Sequence, residues 1–398
     1  MKILILNCGS SSVKYQLFDM TNETVLARGL VERIGLSGSV LTHRPAGKDK
    51  VVREAEIGDH KVAVRLCLEA LTDGEYGVIK DYGEIGAVGH RIVHGGEFCD
   101  SVLITRETKA IIGDLVKLAP LHNGPGLLGI EACEGILPST PQVAVFDTAF
   151  HQTMPPYAYT YSLPYDLCRR HHIRRYGFHG TSHKYVALRA AGLAGRPLAE
   201  LKVITCHLGN GSSITAIKNG KSLDTSMGFT PLAGLTMGTR CGDIDPAIVT
   251  FLMEKEGLTP ADMDQLMNRR SGVLGVSGVS SDFRDIEDAM AGGNERARLA
   301  WDIFVYAVKK YIGAYTAALN GLDVLVFTAG LGENSPAVRE AICRDMDYLG
   351  IKVDAVKNQV RGQEKDISAA GSRVRIFVIP TNEELMIARE TLAVVRAG

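Results

Sequence analysis

Two stretches of this sequence set glycine, serine and asparagine directly after an apolar run. Asn7, Gly9, Ser10 and Ser12 follow residues 3–6, and His207, Leu208, Gly209, Asn210 and Gly211 follow residues 203–206. A strand ending in such a turn aims several backbone N–H groups and hydroxyls at one point, and glycine lets backbone come close to a ligand. The chemistry this suits is the binding of a polyphosphate with its metal. One such turn could be a plain hairpin; two at matching places favour a function. A third Gly-rich turn, with Gly330, Leu331, Gly332, Glu333 and Asn334, follows the apolar run 324–327. Three such loops could hold the two ends of a nucleoside triphosphate. No Gly-Lys-Ser/Thr closes a loop and no G-x-G-x-x-G follows a strand, so P-loop and dinucleotide-binding readings fall away.

The elements that must position these loops follow from periodicity. Short β-branched apolar runs at 3–6, 13–18, 85–88, 143–146, 203–206, 214–217, 324–327 and 374–379 read as strands. Residues 295–319 carry Leu299, Ile303, Tyr306 and Ile312 near helical spacing and stop at Gly321. Ser335 before Pro336 opens a further helix, expected to close at Gly350. Such alternation predicts α/β layers. Residues 2–12 read K-I-L-I-L-N-C-G-S-S-S and residues 202–213 read K-V-I-T-C-H-L-G-N-G-S-S, an echo with one insertion. The two halves also end alike, since residues 143–147 and 377–383 each run from an apolar strand to an acidic residue, Asp147 and Glu383. A repeat this long predicts two copies of one domain, with ligands in the cleft between them. The expected division is 1–150 plus 382–398, and 151–381.

Composition narrows the function classes. The 398 residues are 45% hydrophobic and 22% charged, with no segment near the roughly 18 apolar residues of a membrane span. The net charge of −1 supplies no field for nucleic acid or an anionic membrane. The eight cysteines lack zinc-site spacing and read as reduced thiols of a cytoplasmic protein. The apolar run begins at Ile3, leaving no room for a cleavable leader ahead of it. The basic cluster Arg169, Arg170, His171, His172, Arg174 and Arg175 reads as a solvated face.

Further blocks carry a resemblance. Residues 4–14, ending in Lys14, and 207–213 resemble the two signatures of the acetate kinase family. So, in order, do His90-Arg91-Ile92-Val93-His94, Phe146-Asp147-Thr148, Tyr176-Gly177-Phe178-His179-Gly180, Met237-Gly238-Thr239-Arg240, Ser281-Asp282-Phe283-Arg284 and Asn382-Glu383-Glu384. The resemblance spans essentially the whole chain. It implies two ribonuclease-H-like domains of the actin-like ATPase kind, an N-terminal one on the acceptor and dimer side and a C-terminal one for nucleotide, usually in a homodimer. The activity implied is reversible transfer of the ATP γ-phosphoryl group to acetate, giving acetyl phosphate and ADP.

The resemblance also distributes roles. Arg91 would bind the acceptor carboxylate, and Arg240 and His179 would stabilise the transferring phosphoryl group. On residue type alone, Arg91 could equally be a surface ion-pair partner and His179 a hydrogen-bonded core residue. Asn7 and Glu383 would hold magnesium, with manganese an alternative, and Asp147 would orient an arginine or reach the metal shell. Lys14, Ser10, Ser12, His207, Leu208, Gly209, Asn210 and Gly211 would meet phosphates. Asp282, Phe283, Arg284 and residues 330–334 would form the adenosine pocket, although Phe283 also reads as core. Val93, Leu121, Phe178 and Pro231 would wall the acceptor methyl. His90, His94, His151 and His183 read as structural. Rival readings are a propionate or butyrate kinase, a non-catalytic ATP-binding module of the Hsp70 or actin kind, and a phosphate-releasing hydrolase.

Overall fold

The apolar run at the start of the chain becomes strand β1 (Lys2–Cys8), whose Ile3, Leu4, Ile5 and Leu6 are all buried. Burial on both faces explains why its residues do not alternate in polarity. The computed structural model describes residues 1–117 and 119–397, the side chains of Pro120 and Leu121 excepted. The chain divides into two units, Met1–Phe150 with Asn382–Gly398, and His151–Thr381.

In the first unit, β1 joins β2 (Ser12–Asp19), β3 (Thr24–Glu32), β4 (Val40–Pro45), β5 (Val51–Glu54), β6 (Ile85–Ile92), β7 (Val102–Leu103) and β8 (Gln142–Phe146) in one sheet, in the order β5-β4-β3-β2-β1-β6-β8-β7. The second unit holds β9 (Lys202–Leu208), β10 (Ser212–Lys218), β11 (Lys221–Thr225), β12 (Val324–Thr328), β13 (Lys365–Asp366) and β14 (Arg375–Val378), in the order β11-β10-β9-β12-β14-β13. The two sheets repeat one plan. β1 runs antiparallel to β2 and parallel to β6, and β9 runs antiparallel to β10 and parallel to β12. β8 continues parallel to β6, as β14 does to β12.

Helices cover these sheets. The helix Glu383–Ala397 packs on β1, β6 and β8 of the first unit, and Gly180–Ala194 packs on β9 and β12 of the second. In sequence the first of these follows β14 and the second follows β8, so each unit takes the helix that comes after the other unit's last parallel strand. The helix Glu295–Leu319 starts under an Asn294 cap and supplies Trp301, Phe304, Val308 and Ile312 to the second core. Its end is Asn320 in the left-handed region, just before Gly321. Among the described residues no helix is long and apolar enough to cross a membrane, and all eight cysteines are free.

Three expectations are corrected. The helix opened by Ser335 ends at Cys343 rather than Gly350: Arg344 is extended and Asp345 has φ 59°, turning the chain so that Met346 and Ile351 enter the core. Residues 330–334 are no turn but part of a helical segment, Ala329–Asn334, entered through Ala329 at φ 64°. The basic cluster is not uniformly solvated, because Nη1 of half-buried Arg175 donates to the carbonyls of Thr225, Ser226 and Met227.

Buried His90 on β6 meets Oε1 of Gln142 on β8 at 2.8 Å, and burial pushes its pKa down to about 4. The unfolded chain, with an ordinary histidine near 6.5, takes up that proton first as pH falls. Stability from this group is therefore whole above about pH 6.5 and is lost towards pH 4, by up to about 3 kcal/mol. Burial displaces His94 and His183 in the same direction. The melting temperature should drop across that window, and His90→Gln should flatten the drop; an unaltered profile would assign the acid lability elsewhere.

Candidate active site

Parallel strands carry their carboxyl ends to one edge of a sheet, and that edge collects the polar residues of each unit. In the first unit Asn7 stands opposite Lys14 at the end of the β1–β2 hairpin, so the two side chains share a face. The peptide of Gly9 in the connecting turn is tied down, its N–H to the Ser12 carbonyl at 2.8 Å and its carbonyl to Nε2 of His60 at 2.7 Å. Arg91 sits near the end of β6 and Asp147 just past β8, where the Asp147 N–H donates to the Ile92 carbonyl.

Asp147 grips Arg91 with both oxygens: Nε donates to Oδ1 at 2.9 Å and Nη2 to Oδ2 at 2.7 Å. A guanidinium has two such edges, and Asp147 occupies only one. Among the described residues Nη1 of Arg91 has no hydrogen-bond partner. Burial works against the charge of Arg91, but Asp147, Glu383 and Glu384 more than offset it and raise its pKa. Glu383 opens the C-terminal helix, and its own carboxyl is pushed up to about 7. Burial is the main cause; Asp147 and Glu384 add to it, while Arg91 and Lys14 oppose it. Three carboxylates thus share one edge with two cations, Asp147 being buried, Arg91, Glu383 and Glu384 half-buried and Lys14 exposed. The oxygen donors Asn7 and Glu383 suit a hard divalent ion, which would relieve that excess of negative charge.

In the second unit the turn 209–211 is pinned by Ser212, whose hydroxyl donates to the Gly209 carbonyl at 2.9 Å. A Cβ on Gly211 would lie 3.3 Å from Nη1 of Arg240 and 3.6 Å from Cε1 of His179, so both side chains flank bare backbone. His179 has φ 57° at the start of the Gly180–Ala194 helix, and its ring stacks on His207 with centroids 4.1 Å apart. Arg240 has its pKa lowered by burial, and among the described residues no carboxylate pairs with it. Its loop is locked: Gly272, at φ 63°, leaves no space for a Cβ, which would sit 2.2 Å from the Met237 carbonyl and 2.7 Å from that of Arg240.

A cleft of about 580 Å³ lies beside this loop, lined among others by Gly209, Asn210, Asp282, Phe283, Arg284 and Asn334. Phe283 serves core and wall together, packing on Phe304 at 4.6 Å between ring centroids while facing the cleft. Asp282 caps its helix and binds the exposed Arg284 side chain at 2.6 Å. Leu331 and Gly330 also line the cleft, whereas Glu333 turns its carboxylate inward to the N–H groups of Ala329 and Thr381. Leu208 is buried in the core and offers only backbone.

Sequence reasoning missed Glu287, Ser335 and Arg361 on the cleft wall and quoted Ser281 only as part of a block, without a role. It also missed fully buried Arg339, which donates to the carbonyls of Gly332 (2.9 Å), Asn358 (2.6 Å) and Val360 (2.7 Å) and so fixes the wall from behind. A signal existed: Val338, Ile342 and Cys343 mark the buried helix face, and Arg339 lies among them. Of the residues expected around an acceptor methyl, Val93 belongs to the first unit and Phe178 and Pro231 to the second; Ser10 is exposed and Ser12 half-buried. The side chain of Leu121 lies outside the described residues.

The sequence pattern of the acetokinase family matches residues 2–389. An acetate kinase of Moorella thermoacetica is 80% identical over 397 residues, covering all of both chains. Among solved structures, Porphyromonas gingivalis acetate kinase is 55% identical with a TM-score of 0.95, covering 99% of each chain. A propionate kinase from Francisella tularensis is 43% identical with a TM-score of 0.91, covering 98% of this chain and 99% of its own.

The Asn210 amide oxygen lies where a Cβ on Gly238 would be, 1.8 Å away, so Gly238→Ala must displace Asn210 from the cleft. Nucleotide affinity of this variant, measured by calorimetry with ADP, should fall about tenfold, near 1.4 kcal/mol. Wild-type affinity would show that Asn210 does not line the occupied part of the cleft.

Proposed function

The chain belongs to the acetokinase family, and from that premise we propose that it is an acetate kinase, moving the γ-phosphoryl group of ATP reversibly to acetate. The observation that carries the reading is the half-used guanidinium of Arg91. One edge is spent on Asp147, which fixes its orientation, and the other presents a planar fork of N–H donors matched to a carboxylate.

The reaction needs no base. Acetate is ionised near neutral pH, and one of its oxygens attacks the γ-phosphorus in line while the bond to the β-γ bridging oxygen breaks and ADP departs. No proton moves. The work is to hold two anions together and to offset the charge spread over the transferring group. Arg91 holds the acceptor. Arg240, half-buried and among the described residues without a carboxylate partner, and the Nε2 side of His179 face the transferring oxygens across the bare backbone of Gly211. The turns with Ser10, Ser12, Gly209, Asn210 and Gly211, together with Lys14, supply donors for the phosphates, and the 580 Å³ cleft takes the adenosine. Asn7 and Glu383 would hold magnesium, which would supply charge neutralisation on the phosphate oxygens.

In this reading the enzyme works in the cytoplasm as a homodimer. The dimer side expected on the first unit is reassigned to the second, which exposes the apolar side chains of Tyr157 and Tyr165, and of Ile248 and Phe251 on the Pro246–Glu256 helix, which buries none of its residues. Propionate is the less favoured acceptor. The 80% identical relative is an acetate kinase, and a valine at position 93 leaves less room than a smaller residue would.

With ATP, magnesium and acetate, hydroxylamine should trap acyl phosphate, and Arg91→Ala should cut its formation at least a hundredfold while ADP affinity stays within about twofold of wild type. Unchanged turnover would remove Arg91 from the site. Across acids of two to four carbons, Val93→Ala should raise propionate relative to acetate about tenfold, the worth of roughly one methylene. An unaltered ratio would locate the wall elsewhere.

A further inference from the structure

Behind His179 runs a line of hydrogen bonds that the proposed reaction does not yet use. Nδ1 of His179 meets Oγ of Ser213 at 2.9 Å, Oγ of Ser213 meets Nε2 of His183 at 2.7 Å, and Nδ1 of His183 meets Oγ1 of Thr205 at 2.7 Å. His183, Ser213 and Thr205 are all fully buried. The sequence gives no reason to separate His183 from packing histidines.

Counting protons orients this line. Each hydroxyl has one proton to donate, and a neutral imidazole has one N–H and one lone pair. His183 is neutral, since burial and then His151 and His207 push its pKa well below the usual value. Two directions remain. If His179 donated from Nδ1, Ser213 would donate to His183 and His183 to Thr205, leaving the Thr205 hydroxyl proton buried with no acceptor among the described residues. That omission costs about 1–3 kcal/mol. In the opposite direction Thr205 donates to His183, His183 Nε2–H to Ser213, and Ser213 to Nδ1 of His179, so the protons of all three relay residues find acceptors.

We infer that Thr205, His183 and Ser213 act as positioning residues that hold His179 as the neutral tautomer with its proton on Nε2, a donor directed away from the relay. This rests on the proposed role of His179 toward the transferring phosphoryl group. The titratable or charged groups around His179 within its own unit include His207 stacked on it, His183 behind Ser213, His151 beside His183, and Arg240 across Gly211. Arg240 opposes a second positive charge on the imidazole, which favours the neutral donor. A fixed Nε2–H serves at any pH in the neutral range, because protonating Nδ1 leaves that donor in place. An imidazole free to exchange tautomers would lose the donor in part of the population once deprotonated.

The test joins spectroscopy to kinetics on the full chain. In protein labelled with 15N-histidine, the His179 signals, assigned by their loss in His179→Gln, should report Nε2–H between pH 7 and 8. In Ser213→Ala the same signals should move to averaged values, kcat should fall about tenfold with little change in the KM for ATP, and the pH–rate profile should gain a decline on the basic side. Ser213→Thr, which keeps the hydroxyl, should restore all three. An Nδ1–H signature in the wild type, or wild-type tautomer and rate in Ser213→Ala, would overturn the inference. The spectroscopic reading does not depend on turnover. If His179→Gln retained full activity, the catalytic role of His179 would fail while the tautomer assignment was still judged by its own signals.

Discussion

A charged side chain taken out of water must be paired or lose its charge, and that constraint governs the carboxyl edge of the first sheet. Asp147 grips Arg91 there, and with Glu383 and Glu384 near it more than offsets the cost of burying the guanidinium; Glu383 is itself displaced upward, chiefly by burial and further by Asp147 and Glu384. Removing Arg91 would leave the buried Asp147 carboxylate without its paired cation. The arrangement needs three chain segments brought together: β6, the end of β8, and a helix that arrives only after the second unit has been completed. Burying charge thus ties both ends of the chain into one unit.

The sheets supply the register for this. Each hairpin, β1–β2 and β9–β10, turns at the same edge at which the parallel strands end, so turn donors and strand-end side chains are delivered together. The two edges differ in charge. Arg91 is compensated, whereas half-buried Arg240 has no anion of its own among the described residues. In the proposed reaction this difference is useful: the acceptor carries a single charge and must leave again as a product, while the transferring group accumulates charge only transiently and meets a guanidinium not already satisfied.

Much of this was legible in the sequence because the central strands are buried on both faces and announce themselves as unbroken apolar runs. The mixed α/β architecture with two sheets followed from those runs and from the echo between residues 2–12 and 202–213. β3, β4 and β5 were not legible. They lie on the antiparallel side of the first sheet, and exposed residues such as Glu32, Arg44, Arg53 and Glu54 dilute their apolar signal. The segment 329–334 misled for another reason. Its glycines read as a turn, but Glu333 accepts from the Ala329 N–H and closes a helical segment. Within the candidate site, blocks of residues pointed to Arg91, His179 and Arg240, whereas Arg175 and Arg339 were opaque. Each works by donating to carbonyls brought near by tertiary structure, and such partners have no sequence pattern.

That contrast bears on what arginine does in this fold. Arg339 and Arg175 spend most of their donors on backbone carbonyls and gain rigidity; Arg91 spends one edge on a carboxylate and keeps the other; among the described residues Arg240 makes only long side-chain contacts, 3.4 Å to the Pro231 carbonyl and 3.7 Å to Sδ of Met237. A guanidinium already saturated by short, well-aligned acceptors would have to break them to meet a ligand. One held loosely by its loop, with Gly272 fixing the backbone so that only the side chain can adjust, starts the reaction already placed and gives up little to form new bonds. The number of bonds an arginine makes within the protein therefore separates the residues that build this site from those left available to act in it.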